Sequence, residues 1–210
     1  MIARHTSQRW LIAVLAILLA AIGVVLVAAS QRSGGAGAVS QPSSPFAGPS
    51  FPPGLHAPPF SLADQNGRPV SLSQYRGHIV LLTFIHSKCA DTCPLLAEDM
   101  KGALDLLPAN GRGIDAVAIT AAPAEDSAAS RRAFITKHHL WGRLEFLNGP
   151  IADLRRIWRS YHVNPVVSGQ PDHTAFVILI DKAGVERVGD PADQATPESL
   201  AHDIGALARS

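Results

Sequence analysis

From His78 to Ile85 the chain runs almost without polar interruption, rich in Ile, Val and Leu. A segment apolar on both alternating faces suits a strand covered by other elements above and below, and that demands a layered fold rather than an open sheet. Comparable runs recur at Ile114–Thr120, at Leu144–Leu147 and inside His173–Asp181. Between them lie stretches with helical apolar spacing. The first opens near Pro94, with Leu95, Leu96, Met100 and Leu104 as its apolar face, and a second covers Glu125–His139 with Phe134, Ile135 and Leu140. A third covers Ile151–Tyr161 with Leu154, Ile157 and Trp158, and a last one begins at Pro197 behind Thr196 as N-cap. Two short strands joined through Asn66-Gly67 precede all of this, and Lys182-Ala183-Gly184 turns a hairpin into Val185–Val188. Helices alternating with buried strands, and a hairpin near the end, give an α/β class with a mixed central sheet.

The N-terminal third is different in kind. Leu11–Ala29 holds nineteen residues with no charge and no proline, enough for about 28 Å of helix against a hydrocarbon core of roughly 30 Å. Arg4 and Arg9 precede it, which orients residues 1–10 to the cytoplasm and the bulk of the chain to the other side. Val27-Ala28-Ala29 offers a competing reading as a signal-peptide cleavage site, but the apolar run exceeds the usual signal core. No cysteine lies near Ser30 for acylation. Residues 30–55 are rich in Ser, Gly, Pro and Ala without apolar periodicity and read as a flexible linker. The remaining residues, 56–210, suffice for one domain with its own core. A net charge of +1 leaves no electrostatic case for nucleic acid.

Directly behind the His78–Ile85 strand come the only cysteines, Cys89 and Cys93, in the run His86-Ser87-Lys88-Cys89-Ala90-Asp91-Thr92-Cys93-Pro94. Their spacing is one helical turn, so both sulfurs face one way if a helix begins there. An exported domain with two cysteines this close is not a disulfide-stapled scaffold, and a bridge closing so short a loop stabilises little. A helix N-terminus with Lys88 beside it favours reactive thiols. Such a pair serves either dithiol–disulfide exchange or a soft metal.

The hairpin, the buried strand ending in Cys-x-x-x-Cys-Pro, and the later Asp172-His173 before a buried strand together resemble the Sco/SenC family. That resemblance, from about Pro58 to the C-terminus, implies a membrane-anchored thioredoxin fold in the periplasm or an equivalent non-cytoplasmic space. It also implies a copper-delivery role in the assembly of cytochrome c oxidase. One copper, as Cu(I) or Cu(II), would be held by Cys89, Cys93 and His173. An oxidase subunit would be the acceptor, and a copper donor or thiol reductant protein a second partner. Asp172 would orient the ring of His173 or serve as a turn residue. The chain departs from the family pattern in Ala90, where a proline is usual. It departs again in Ala121-Ala122-Pro123-Ala124-Glu125-Asp126, where a more acidic stretch is usual.

Two thiolates and one imidazole make a soft site of low coordination suited to Cu(I), and the imidazole also accommodates Cu(II). A structural zinc site would need a fourth protein ligand, for which His86 is the candidate; otherwise His86 is a strand-end histidine facing solvent or the loop. His138-His139 is read as a solvated helix end, because adjacent helical residues do not share a face. Trp141, Trp158 and Phe176 are assigned to the core. The alternative to copper delivery is a thiol–disulfide reductase acting on oxidase subunits or other copper proteins. A thiol peroxidase is less favoured, since His86 stands where such sites carry threonine.

Overall fold

A computed structural model describes residues 44–108, 113–164 and 175–210, all within one unit, Ser44–Ser210. The N-terminal apolar segment Leu11–Ala29, most of the linker, and Asp172-His173 lie outside the described residues. Among the described residues no helix is long and apolar enough to cross a membrane.

The strand expected at His78–Ile85 is β3 (Ile79–Ile85), and all seven of its residues are buried. It sits at the middle of the sheet. On one side it pairs in parallel with β4 (Ile114–Thr120), which pairs in parallel with β5 (Leu144–Leu147). On the other it pairs antiparallel with β6 (Phe176–Ile180), followed by antiparallel β7 (Glu186–Pro191). The order is β5-β4-β3-β6-β7, a mixed sheet as the sequence predicts. The leading strands β1 (Ser61–Ala63) and β2 (Pro69–Ser71) form a separate hairpin whose turn places Gly67 at φ 81°, a conformation that favours glycine.

The pleat of β3 divides the interior. Ile79, Leu81 and Ile85 join a cluster with Cys93, Leu96 and Met100 of α1 (Thr92–Leu106), Phe134 and Ile135 of α2 (Ala128–Lys137), and Leu200 and Ile204 of α4 (Pro197–Ala208). Val80, Leu82 and Phe84 face the opposite cluster, formed with the β1–β2 hairpin and with Leu154, Ile157 and Trp158 of α3 (Ile151–Ser160). Both faces of the central strand are therefore covered, as its unbroken apolar run requires.

Four expectations need correction. Ser44–Leu55 is not a free linker: Phe51 N–H donates to Arg187 O at 3.0 Å, Ser50 bridges Val188, and Asp203 accepts Ala47 N–H at 2.7 Å and Gly48 N–H at 3.0 Å. Gly48 lets this strap lie flat, since a Cβ there would collide with Asp190 and Val188. Leu95 is 65% exposed because Cys93, Leu96, Ala97, Met100 and Ala103 define the buried face, and Leu95 projects away from it. Trp141 is 60% exposed, in a loop bent outward by positive φ at His139 (55°) and Gly142 (73°). His138 is buried rather than solvated, its ring 4.5 Å from that of Phe134 and its Nδ1 3.0 Å from Glu98 Oε1. Its neighbour His139 remains exposed.

Candidate metal centre

The carboxyl ends of β3 and β4 set the site, where α/β sheets habitually present their functional loops. Ala121 N–H donates to Ile85 O at 2.8 Å, holding the two strand exits side by side. From Ile85 the chain turns at once, and Cys89 N–H donates to His86 O at 3.2 Å. This closed turn brings the side chains of His86 and Cys89 to the same end of the strand.

Helix α1 starts at Thr92, and its N-cap, Asp91, makes no side-chain capping bond. The sulfur of Cys89 takes a share of that task, accepting the Cys93 N–H at 3.3 Å. That contact ties the sulfur of Cys89 to the first turn of the helix. Cys89 is partly exposed and Cys93 fully buried, and no disulfide joins them. One turn of helix carries Cys93 inward to the cluster of Ile85, Leu96 and Ala97 and leaves Cys89 at the rim.

The loop is fixed from below by Asp126. Its Oδ1 accepts both Ser87 N–H at 2.7 Å and Ser87 O–H at 2.5 Å, and its Oδ2 accepts the Thr120 hydroxyl. Its backbone carbonyl accepts Asn148 Nδ2 at 2.8 Å. The stretch after β4 thus departs in composition from the expected acidic pattern but still supplies one wholly buried carboxylate, bonded to the loop that carries Cys89.

Donor atoms of His86, Cys89 and Cys93 lie within 4.8 Å of one another. Two donors on one ion stand at most about two bond lengths apart, roughly 4.6 Å for a pair of thiolates, so the grouping is nearly closed as it stands. The Nδ1 of His86 is buried with no hydrogen-bond partner among the described residues, and such an atom costs free energy unless something else engages it. Two sulfurs and an imidazole nitrogen are a donor set for soft or borderline metals. The sequence placed both cysteines here. It offers His86 either as a further ligand or as a strand-end residue, and the turn is what brings its ring to the thiols. His173, expected as the third ligand, lies outside the described residues.

The sequence model of the SCO1/SenC family matches residues 51–209. The SCO2-like protein RP587 of Rickettsia prowazekii is 28% identical over 134 residues, covering 60% of this chain and 64% of that protein. The chain thus spans under two thirds of the length of the curated relatives it matches, 64% also for the SCO2-like protein RT0576 of Rickettsia typhi. Among solved structures, copper-bound ScoI of Bradyrhizobium japonicum is 27% identical, with 73% of this chain and 99% of that chain covered and a TM-score of 0.62. BsSco belongs to the Sco family of cytochrome c oxidase assembly proteins, and a disulfide switch has been identified in it. It is 20% identical with a TM-score of 0.66, over 77% of this chain and 98% of its own. At that identity the likeness bears on the thioredoxin-like fold alone.

Proposed function

The chain belongs to the SCO1/SenC family, and on that premise we propose that it carries copper to a respiratory cytochrome c oxidase during its assembly. The observation that carries this reading is the convergence of His86, Cys89 and Cys93 donors within 4.8 Å at one end of the sheet. Copper is the cargo, one ion per chain, taken as Cu(I) or Cu(II). Cys89 and Cys93 supply thiolates, and His173 supplies an imidazole by the family resemblance. An oxidase subunit receives the metal, and a donor protein or thiol reductant readies the site. Leu11–Ala29 anchors the chain in the inner membrane and residues 56–210 work in the periplasm or its equivalent, as the flanking arginines favour.

A thiol–disulfide reductase is the second reading, favoured by the rim position of Cys89 over the buried Cys93. There the Cys89 thiolate attacks a target disulfide, breaking its S–S bond and releasing one target thiolate. Cys93 then attacks the mixed disulfide, frees the second target thiolate and closes the Cys89–Cys93 bridge, so two electrons pass to the target.

Changing His173→Ala separates the two. Delivery predicts that Cu(II) binding falls far more than Cu(I) binding and that oxidase assembly in cells fails. Reduction of a model disulfide stays near normal, because both thiols remain. Normal assembly with His173→Ala alongside failed assembly with Cys89→Ser would transfer the function to thiol exchange.

A further inference from the structure

Three donors meet at the end of β3 without any contribution from beyond Cys93. His86, Cys89 and Cys93 all belong to the run from His86 to Cys93. All three are placed by local contacts. His86 is held by the turn that its own carbonyl closes with Cys89 N–H at 3.2 Å. Cys89 is held by that same turn and by the Cys93 amide on its sulfur at 3.3 Å. Cys93 is seated in the first turn of α1, fully buried. Between His86 and Cys89, Ser87 is tied to the buried Asp126 through both its N–H and its hydroxyl. The segment is therefore preorganised, and little ordering remains to be done when a metal enters.

The imidazole of His86 has a reason to accept that metal. Its Nδ1 is buried with no hydrogen-bond partner among the described residues, while a donor nitrogen of the same ring lies within 4.8 Å of both sulfurs. Cu(I) has a filled d shell and favours soft donors in low coordination, for which two thiolates and one imidazole suffice. We propose that His86 is a copper ligand in this chain, completing with Cys89 and Cys93 a three-donor Cu(I) site inside a single strand–turn–helix segment. This inference rests on the copper reading above. It changes the division of labour within it: Cu(I) is held by the local segment, and His173 becomes the ligand that admits Cu(II) rather than one Cu(I) requires.

The test uses the full chain in detergent, reduced and given one equivalent of Cu(I) without oxygen. X-ray absorption at the copper edge counts sulfur and nitrogen neighbours in the wild type, His86→Ala and His173→Ala, and competition with a Cu(I) chelator gives relative affinities. The expected result is that His86→Ala loses one nitrogen neighbour and about tenfold or more in Cu(I) affinity, with both sulfurs kept, whereas His173→Ala keeps the wild-type nitrogen. An unchanged nitrogen count in His86→Ala, with the nitrogen lost in His173→Ala, overturns the proposal and leaves copper delivery standing. A wild type that takes up no Cu(I) overturns both together. If His86→Ala does not fold, the ring nitrogens of His86 in wild-type protein are followed by ¹⁵N NMR. A Cu(I)-induced shift supports ligation, and an unmoved resonance beside loaded thiols overturns it.

Discussion

Asp126 holds Ser87 twice with one oxygen, its Oδ1 accepting the backbone N–H at 2.7 Å and the hydroxyl at 2.5 Å. Thirty-nine positions separate the two residues in sequence, and the parallel register of β3 on β4, with Ile85 opposite Thr120, closes the gap. The carboxylate also accepts the Thr120 hydroxyl, so three donors depend on one buried group.

Removing it should be costly. Asp126→Ala strands the Ser87 amide and the Thr120 hydroxyl in the interior and is expected to lower stability by roughly 3 kcal/mol. Asp126→Asn, which keeps one acceptor oxygen, should lose less. Urea unfolding measures both, and an Ala variant with the wild-type midpoint would remove Asp126 as the anchor of the loop. Copper affinity should fall in the Ala variant as well, through the loosened turn at His86.

Oxidation should close the site. Both sulfurs are needed as thiolates, and a Cys89–Cys93 bridge removes both donors at once. Protein oxidised to the disulfide is expected to take up no Cu(I), and reduction should restore one copper per chain, read by metal analysis after gel filtration. Equal uptake by the two forms would place the ligands elsewhere.

The membrane reading stands on length and flanking charge. Full-length protein is expected to stay in the membrane fraction through carbonate washing, and a reporter fused after Ser210 should be active only outside the cytoplasm. A shortened soluble form beginning near Ser30 would make Leu11–Ala29 a cleaved signal instead.

A pH effect should arise far from the thiols, at Glu186. This residue is 6% exposed and borders a cavity of about 450 Å³ with His56, Tyr161 and His162. Burial pushes its carboxyl from 4.5 up to about 7. The unfolded chain then releases its proton before the folded one, so the folded state binds more protons between those values and stability falls as pH rises through that window. Above about 7 the loss is complete, on the order of a few kcal/mol. Glu186→Gln should flatten the profile between pH 4.5 and 7, and thermal melts across that range would detect a slope that persists in the variant and so belongs to another group.

What the sequence conveyed follows from the range of the forces involved. The buried run of β3, the tetrapeptide of β5 and the Thr196–Pro197 start of α4 are local patterns, and each forms where apolar spacing or capping chemistry places it. Cys89 and Cys93 were legible for the same reason, since one helical turn is a matter of counting. His86 was legible only as one of two alternatives, ligand or strand-end residue, because its ring meets the sulfurs through a turn closed by one backbone hydrogen bond. Asp126 was hidden by distance along the chain. His138 was misread because a helix end looks solvated until Phe134 and Glu98 enclose it. Trp141 lies in an apolar-periodic stretch that reads as core, and positive φ at His139 and Gly142 turns the chain outward there.

The uneven depth of the two sulfurs gives the site a direction. Cys89 stands at the rim and Cys93 behind it in the packed interior, so whatever approaches from outside meets one sulfur before the other. Under the proposed delivery role, a partner's thiolate would form its first bond on the Cys89 side, and the bond to Cys93 would be the last surrendered. In the copper-delivery reading, transfer would then be a sequence of single exchanges that keeps the ion from water. On that reading, the rate of hand-over would follow how well a partner fits the mouth around Cys89, and the security of storage how tightly the core closes on Cys93.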